Sequence, residues 1–88
     1  MRVKLRYLAQ LQVQTGRSEE WFELRDAATA VDLATAVAAR YGRRMREMLF
    51  DGSGRLALVV SLDGRRIDPS RSLYDGGEVV FLMPMGGG

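Results

Sequence analysis

The chain closes with Glu78-Val79-Val80-Phe81-Leu82-Met83-Pro84-Met85 followed by Gly86-Gly87-Gly88. A short apolar run bounded by turn residues has the pattern of a buried strand. Three glycines have no side chain to pack and a large conformational entropy to lose, so they are expected to stay mobile beyond it. A strand that hands a bare carboxylate to solvent makes the terminus of Gly88 the candidate reactive group. The domain division follows: residues 1–85 form one folded unit and residues 86–88 a flexible tail.

On this strand, alternation turns Val79, Phe81 and Met83 toward a covering helix and leaves Val80 and Leu82 on the open face. Upstream, Asp75-Gly76-Gly77 turns into the strand, and Leu73-Tyr74 plugs back toward the core. Leu56 to Leu62 reads as a strand with Leu58, Val60 and Leu62 on one face. Asp63-Gly64 is a hairpin turn that needs positive φ, and Arg65 to Asp68 returns as a short edge strand.

The N-terminal third supplies two more strands. Val3, Leu5 and Tyr7 alternate with Arg2, Lys4 and Arg6, the pattern of a half-buried strand. Glu20 to Leu24 is its partner, with Phe22 and Leu24 inward and Glu19, Trp21 and Glu23 outward. Ala9 to Val13 between them is ambiguous, with a short helical turn as one reading. Thr29 caps a helix whose stripe is Leu33, Val37 and Tyr41, with small residues at Ala30, Ala34 and Ala36, and Gly42 ends it. Arg43 to Phe50 is a shorter helical piece with Met45, Met48 and Leu49 at helical spacing.

These elements come in the order strand, strand, helix, strand, short strand, strand. The expected fold is α+β: a mixed sheet of about five strands covered by one main helix plus a short helix. If the first and last strands are central neighbours they run parallel, and a right-handed crossover covers one face. That is the β-grasp, or ubiquitin-like, arrangement.

Composition narrows the chemistry. At 88 residues the chain holds one core. It contains neither cysteine nor histidine, which removes thiolate and imidazole catalysis and nearly all zinc or iron ligation. The expectation is a chain that is not itself an enzyme and binds no cofactor or metal. The net charge is only +2, and twelve of the thirteen basic residues are Arg. Arg43, Arg44 and Arg46 are left for solvent without interleaved aromatic residues, so no nucleic acid partner is expected. No apolar run approaches a membrane span, and Met1-Arg2-Val3-Lys4 lacks a leader-like apolar segment. No membrane association and a cytoplasmic location are the expectations.

The residues resemble the ubiquitin-like sulfur-carrier proteins, and within them the small subunit of molybdopterin synthase. The likeness spans nearly the whole chain: Leu8-Ala9-Gln10, Gly16, Thr29 through Leu33, Leu62-Asp63-Gly64, Leu73-Tyr74-Asp75-Gly76, and Met83-Pro84-Met85 before the glycines. The resemblance implies a non-catalytic carrier. An adenylyltransferase related to ubiquitin-activating enzymes would use ATP to adenylate Gly88, and sulfur would then replace AMP to give a thiocarboxylate. Gly87 would be the indispensable neighbour. The molybdopterin synthase large subunit would be the other partner, in a heterotetramer. Docking would use Leu8, Val59, Val80 and Leu82 on the open face, and Met83, Pro84, Met85 and Gly86 leading to the tail. Carriers of this type often have an acidic residue where Gly77 stands, and a double proline where Met83-Pro84-Met85 stands. Other readings stay open: a carrier for cysteine or thiamine synthesis, a ubiquitin-like modifier joined to target lysines, or a plain β-grasp interaction module.

Overall fold

The computed structural model describes residues 1–84. Its elements are β1 (Arg2–Arg6), α1 (Ala9–Thr15), β2 (Glu19–Glu23), α2 (Ala30–Tyr41), α3 (Arg43–Leu49), β3 (Val59–Leu62), β4 (Arg65–Ile67) and β5 (Glu78–Leu82). The five strands form one mixed sheet in the order β2-β1-β5-β3-β4. β1 and β5 run parallel at its centre, and every other pairing is antiparallel. This is the β-grasp fold expected from the alternation of apolar residues.

The helices take one face of the sheet. Val3, Leu5, Tyr7, Phe22, Val60, Leu62, Val79 and Phe81 meet Leu33, Ala34 and Val37 of α2 and Met45 and Leu49 of α3 in a single buried cluster. α2 begins as its sequence predicts. The Thr29 hydroxyl accepts from the Asp32 amide at 3.2 Å, and the Thr29 amide donates to the Asp32 carboxylate at 2.8 Å. That reciprocal pair satisfies amides that the helix itself leaves free. The Thr29 backbone amide, aided by its hydroxyl and Arg25, holds Asp32 below the usual carboxylate range. Gly42, at φ +97°, ends α2 by donating to the Ala38 carbonyl at 2.7 Å.

Several expectations are corrected. Ala9 to Val13 resolves into a true helix that runs on to Thr15 and buries Leu11, so two short helices accompany α2. β3 starts at Val59 rather than Leu56, because Leu56 instead bridges Phe50. Met83, expected to face the helices, lies beyond the end of β5 and is 38% exposed. Strand alternation no longer governs it once the pairing stops. Tyr74 does not plug into the core either: Leu73 alone is buried, while Tyr74 lies at the surface with its hydroxyl donating to Asp63. Tyr41 and Leu24, expected inward, are only partly buried.

Glu20 is the residue that periodicity should have flagged. Alternation in β2 places it on the helix side with Phe22, and its side chain is only 7% exposed. Tyr7 and Tyr41 donate to its carboxylate at 2.5 and 2.6 Å, and Arg40 pairs with it at 2.9 Å. Burial alone would push the Glu20 carboxyl up, but the hydrogen bonds from Tyr41, Tyr7 and Arg40 together hold it below its ordinary value. A buried carboxylate is tolerated because its lone pairs are taken. The cluster ties β1 and β2 to the C-terminal end of α2.

Candidate functional site

The candidate site is the place where β5 ends, and β5 is fixed from its other end. The Arg2 amide donates to Asp75 at 2.8 Å, the Gly76 amide to the Arg2 carbonyl at 2.7 Å, and the Lys4 amide to the Gly77 carbonyl at 2.9 Å. On the β3 side, Asp63 accepts from the Glu78 amide at 2.9 Å and donates its own amide to the Glu78 carbonyl at 2.8 Å. Hydrogen bonds from the Tyr74 hydroxyl and the Glu78 amide keep the Asp63 carboxyl below its ordinary value. Asp63 and Gly64 sit at φ +49° and +84°, the turn geometry that the Asp-Gly pair predicts.

Gly77 packs closely in this turn. A Cβ there would lie 2.8 Å from Leu62 Cδ1 and 3.2 Å from the Tyr74 carbonyl oxygen. A side chain at this position would require Leu62 to shift.

Parallel pairing with β1 then decides where the chain leaves. The parallel pairing ends with Arg6 opposite Val80, and Leu8, two residues on, is the cap of α1. On the other side Leu82 is paired with Val59, and Val80 with Ser61. The register therefore puts Val59, Val80 and Leu82 together on the open face at the end where β5 stops. Leu8 and Leu82 are each 38% exposed, and Val59 and Val80 are half-buried. Met83 and Pro84 extend the exposed surface past the strand. Met85, Gly86, Gly87 and Gly88 lie outside the described residues, as does the expected boundary between domain and tail.

The other end of the open face is charged and internally paired. Arg2 meets Glu23 at 3.4 Å, Lys4 meets Glu19 at 3.4 Å and Glu78 at 3.9 Å, and Arg6 meets Glu78 at 3.5 Å. Arg2 also stacks over Trp21 with 4.8 Å to the ring centroid. Such exposed pairs add little stability. They do divide the face into a charged ladder and an apolar end, and a contiguous apolar area on an uncovered sheet is a place for another protein to sit. Among the described residues no group of three or more Asp or Glu side chains is placed to hold a metal ion. No helix there is long and apolar enough to cross a membrane.

Comparisons with known proteins agree with this geometry. The model of the ThiS family matches residues 5–88, a span that includes all three terminal glycines. A search of curated protein sequences returned no match. Among solved structures, the chain is similar to small archaeal modifier protein 1 of Haloferax volcanii, at 19% identity over the whole of both chains with a TM-score of 0.86. It is also similar to a putative molybdopterin converting factor subunit 1 of Pyrococcus furiosus, at 26% identity over 96% of this chain and 98% of that one, with a TM-score of 0.79. A third similar structure is the complex of subunits 1 and 2 of the Helicobacter pylori molybdopterin-converting factor, at 19% identity over all of both chains and a TM-score of 0.60. With a family match that runs through the sheet to the last glycine, the chain belongs to the ThiS family of ubiquitin-like sulfur carriers.

Proposed function

We propose that this chain carries sulfur as a thiocarboxylate on Gly88 and delivers it in molybdopterin synthesis, as the small subunit of molybdopterin synthase. The observation that carries the reading is the family match through Gly88, on a fold whose last described strand, β5, pairs parallel with β1 at the centre of the sheet. The likeness to a putative molybdopterin converting factor subunit 1 of Pyrococcus furiosus supports this acceptor.

The chemistry needs little from the chain itself. An adenylyltransferase partner joins the Gly88 carboxylate to AMP from ATP and releases pyrophosphate. A sulfur donor then displaces AMP, so that a C–S bond replaces the C–O bond to phosphate. The synthase large subunit supplies the groups that move sulfur to the pterin. Gly86, Gly87 and Gly88 suit this task because residues without Cβ let an enclosing backbone approach closely. Ordering them costs about 1–2 kcal/mol per residue, which docking through Leu8, Val59, Val80 and Leu82 must offset.

A second reading, conjugation to target lysines, has support in the likeness to an archaeal modifier protein. Both readings begin with adenylation. The experiment is a chain lacking Gly87 and Gly88, tested with the adenylyltransferase of the same genome. Pyrophosphate exchange should vanish while the melting temperature holds. Complementation then separates the acceptors: rescue of a strain lacking the molybdopterin synthase small subunit supports the proposal. Rescue only of strains lacking the cysteine or thiamine carrier would overturn the choice of acceptor.

A further inference from the structure

Lys4 is the one lysine of the sequence, and it sits within the open face rather than on its rim. Its neighbours in register are Trp21 on β2 and Glu78 on β5. The ammonium group lies 3.4 Å from Glu19, 3.9 Å from Glu78 and 5.7 Å from the centroid of the Trp21 ring. The side chain is 27% exposed. Every other basic residue is arginine, whose guanidinium stays protonated and offers no nucleophilic lone pair. There is no thiol or imidazole to take an acyl group instead. The Met1 amine is engaged as well, donating to the Leu24 carbonyl at 2.8 Å and lying 3.7 Å from Asp26.

We propose that the chain is chiefly an acyl donor: it passes on an activated C-terminal acyl group and accepts one from another copy only slowly, because its only lysine is flanked by Glu19, Glu78 and Trp21. The proposal rests on the carrier reading for the activated terminus and deepens it. In the reaction that is slowed, a deprotonated Lys4 amine would attack the Gly88 carbonyl carbon of a second copy. A C–N bond would form, the bond to the adenylate oxygen or to sulfur would break, and that group would leave with the electron pair. The ammonium has no lone pair. It must first give a proton to solvent and swing clear of both carboxylates and the ring. A charged pool of carrier therefore consumes itself more slowly than it would through an unpaired surface lysine.

The test needs no activating enzyme. Folded wild-type protein and the Arg43→Lys/Glu47→Gln variant, which removes the carboxylate 3.6 Å from a position whose side chain is 89% exposed, are treated with N-hydroxysuccinimidyl acetate, and each amine is followed by peptide mass. Lys4 should react roughly three- to thirty-fold more slowly than the introduced lysine, the span that two partly exposed ion pairs supply. The double variant Glu19→Gln/Glu78→Gln, with an unchanged circular dichroism spectrum, should close most of the gap. Equal rates in the folded protein would overturn the proposal, and so would a gap that persists in the double variant. As a second measurement, protein prepared with a C-terminal thioester should form isopeptide-linked dimers several-fold more slowly as wild type than as the Arg43→Lys/Glu47→Gln variant. Equal dimerisation through Lys4 would overturn it. Because the acetylation rates do not depend on activation in cells, failure of the carrier reading and failure of the shielding are read separately.

Discussion

Replacing Glu20 with Ala removes the one acceptor that three donors share, and the structure sets the size of the effect. Tyr41 and Arg40 can turn to water: the first is partly buried, and the second is 49% exposed with its guanidinium also stacked over Phe22 at 4.3 Å. Tyr7 cannot, because it is 1% exposed. Its orphaned hydroxyl costs about 1–3 kcal/mol, and the lost hydrogen bonds to a charged group about 1.5–3 kcal/mol. Together the loss is about 3–5 kcal/mol, the usual result of breaking a buried pair from one side. That is a large share of the roughly 5–15 kcal/mol that holds a domain together. With a slope of about 1–2 kcal/mol/M, the urea midpoint should fall by about 1.5–5 M. Tyr7→Phe/Glu20→Leu should lose less than the sum of its two single changes, since no buried donor is then stranded.

The same cluster has a pH signature. Glu20 titrates below its unfolded value of about 4.3, so its contribution is complete above that pH and is lost as pH falls through the folded value. Burial, and then the bond to Glu20, push the Tyr7 hydroxyl up. Its contribution is complete below about pH 10 and is lost as pH rises further. Tyr7→Phe should shrink the alkaline limb, leaving the part due to Tyr41 and Tyr74, whose hydroxyls are also pushed up. A Glu20→Ala midpoint within about 0.5 M of wild type would refute the idea that this carboxylate holds the hairpin to α2.

Two further changes separate fold from docking. Gly77→Ala places a methyl 2.8 Å from Leu62 Cδ1 and should cost about 1–3 kcal/mol by overpacking, seen as a lowered melting temperature. An unchanged melting temperature would show that the turn before β5 has slack. Leu82→Asp changes a 38% exposed side chain, so stability should stay within about 0.5 kcal/mol. Pyrophosphate exchange with the adenylyltransferase should nevertheless fall sharply, and unchanged exchange would remove the apolar end of the sheet as a docking surface.

Much of this was legible because the signals were local. Alternation in Val3-Leu5-Tyr7 and Val79-Phe81, the Thr29 cap and the Asp63-Gly64 turn each depend on a few adjacent residues, and the structure has them as read. The parallel β1/β5 pair, which alignment along the chain cannot display, followed from topology rules. Where the reading missed, tertiary contacts had overridden the pattern. Tyr41 is held only partly buried with its hydroxyl on Glu20, Tyr74 lies at the surface with its hydroxyl on Asp63, and Met83 is released where β5 stops pairing. Glu20 was missed because a carboxylate on a buried face looks wrong until its three partners, distant in sequence, are seen around it. At the candidate site, the register puts Val59 opposite Leu82 and Val80 opposite Ser61, so Val59, Val80 and Leu82 share one face, while Leu8 lies past the end of β1.

The central claim is that the last glycine is where the chemistry happens. Intact-mass measurement of the protein isolated from its native cells tests this directly. A fraction heavier than the encoded chain by the difference between one sulfur and one oxygen atom, with the change mapped to Gly88, is the predicted result. A population that carries no such species while the sulfur-requiring pathway is active would contradict it.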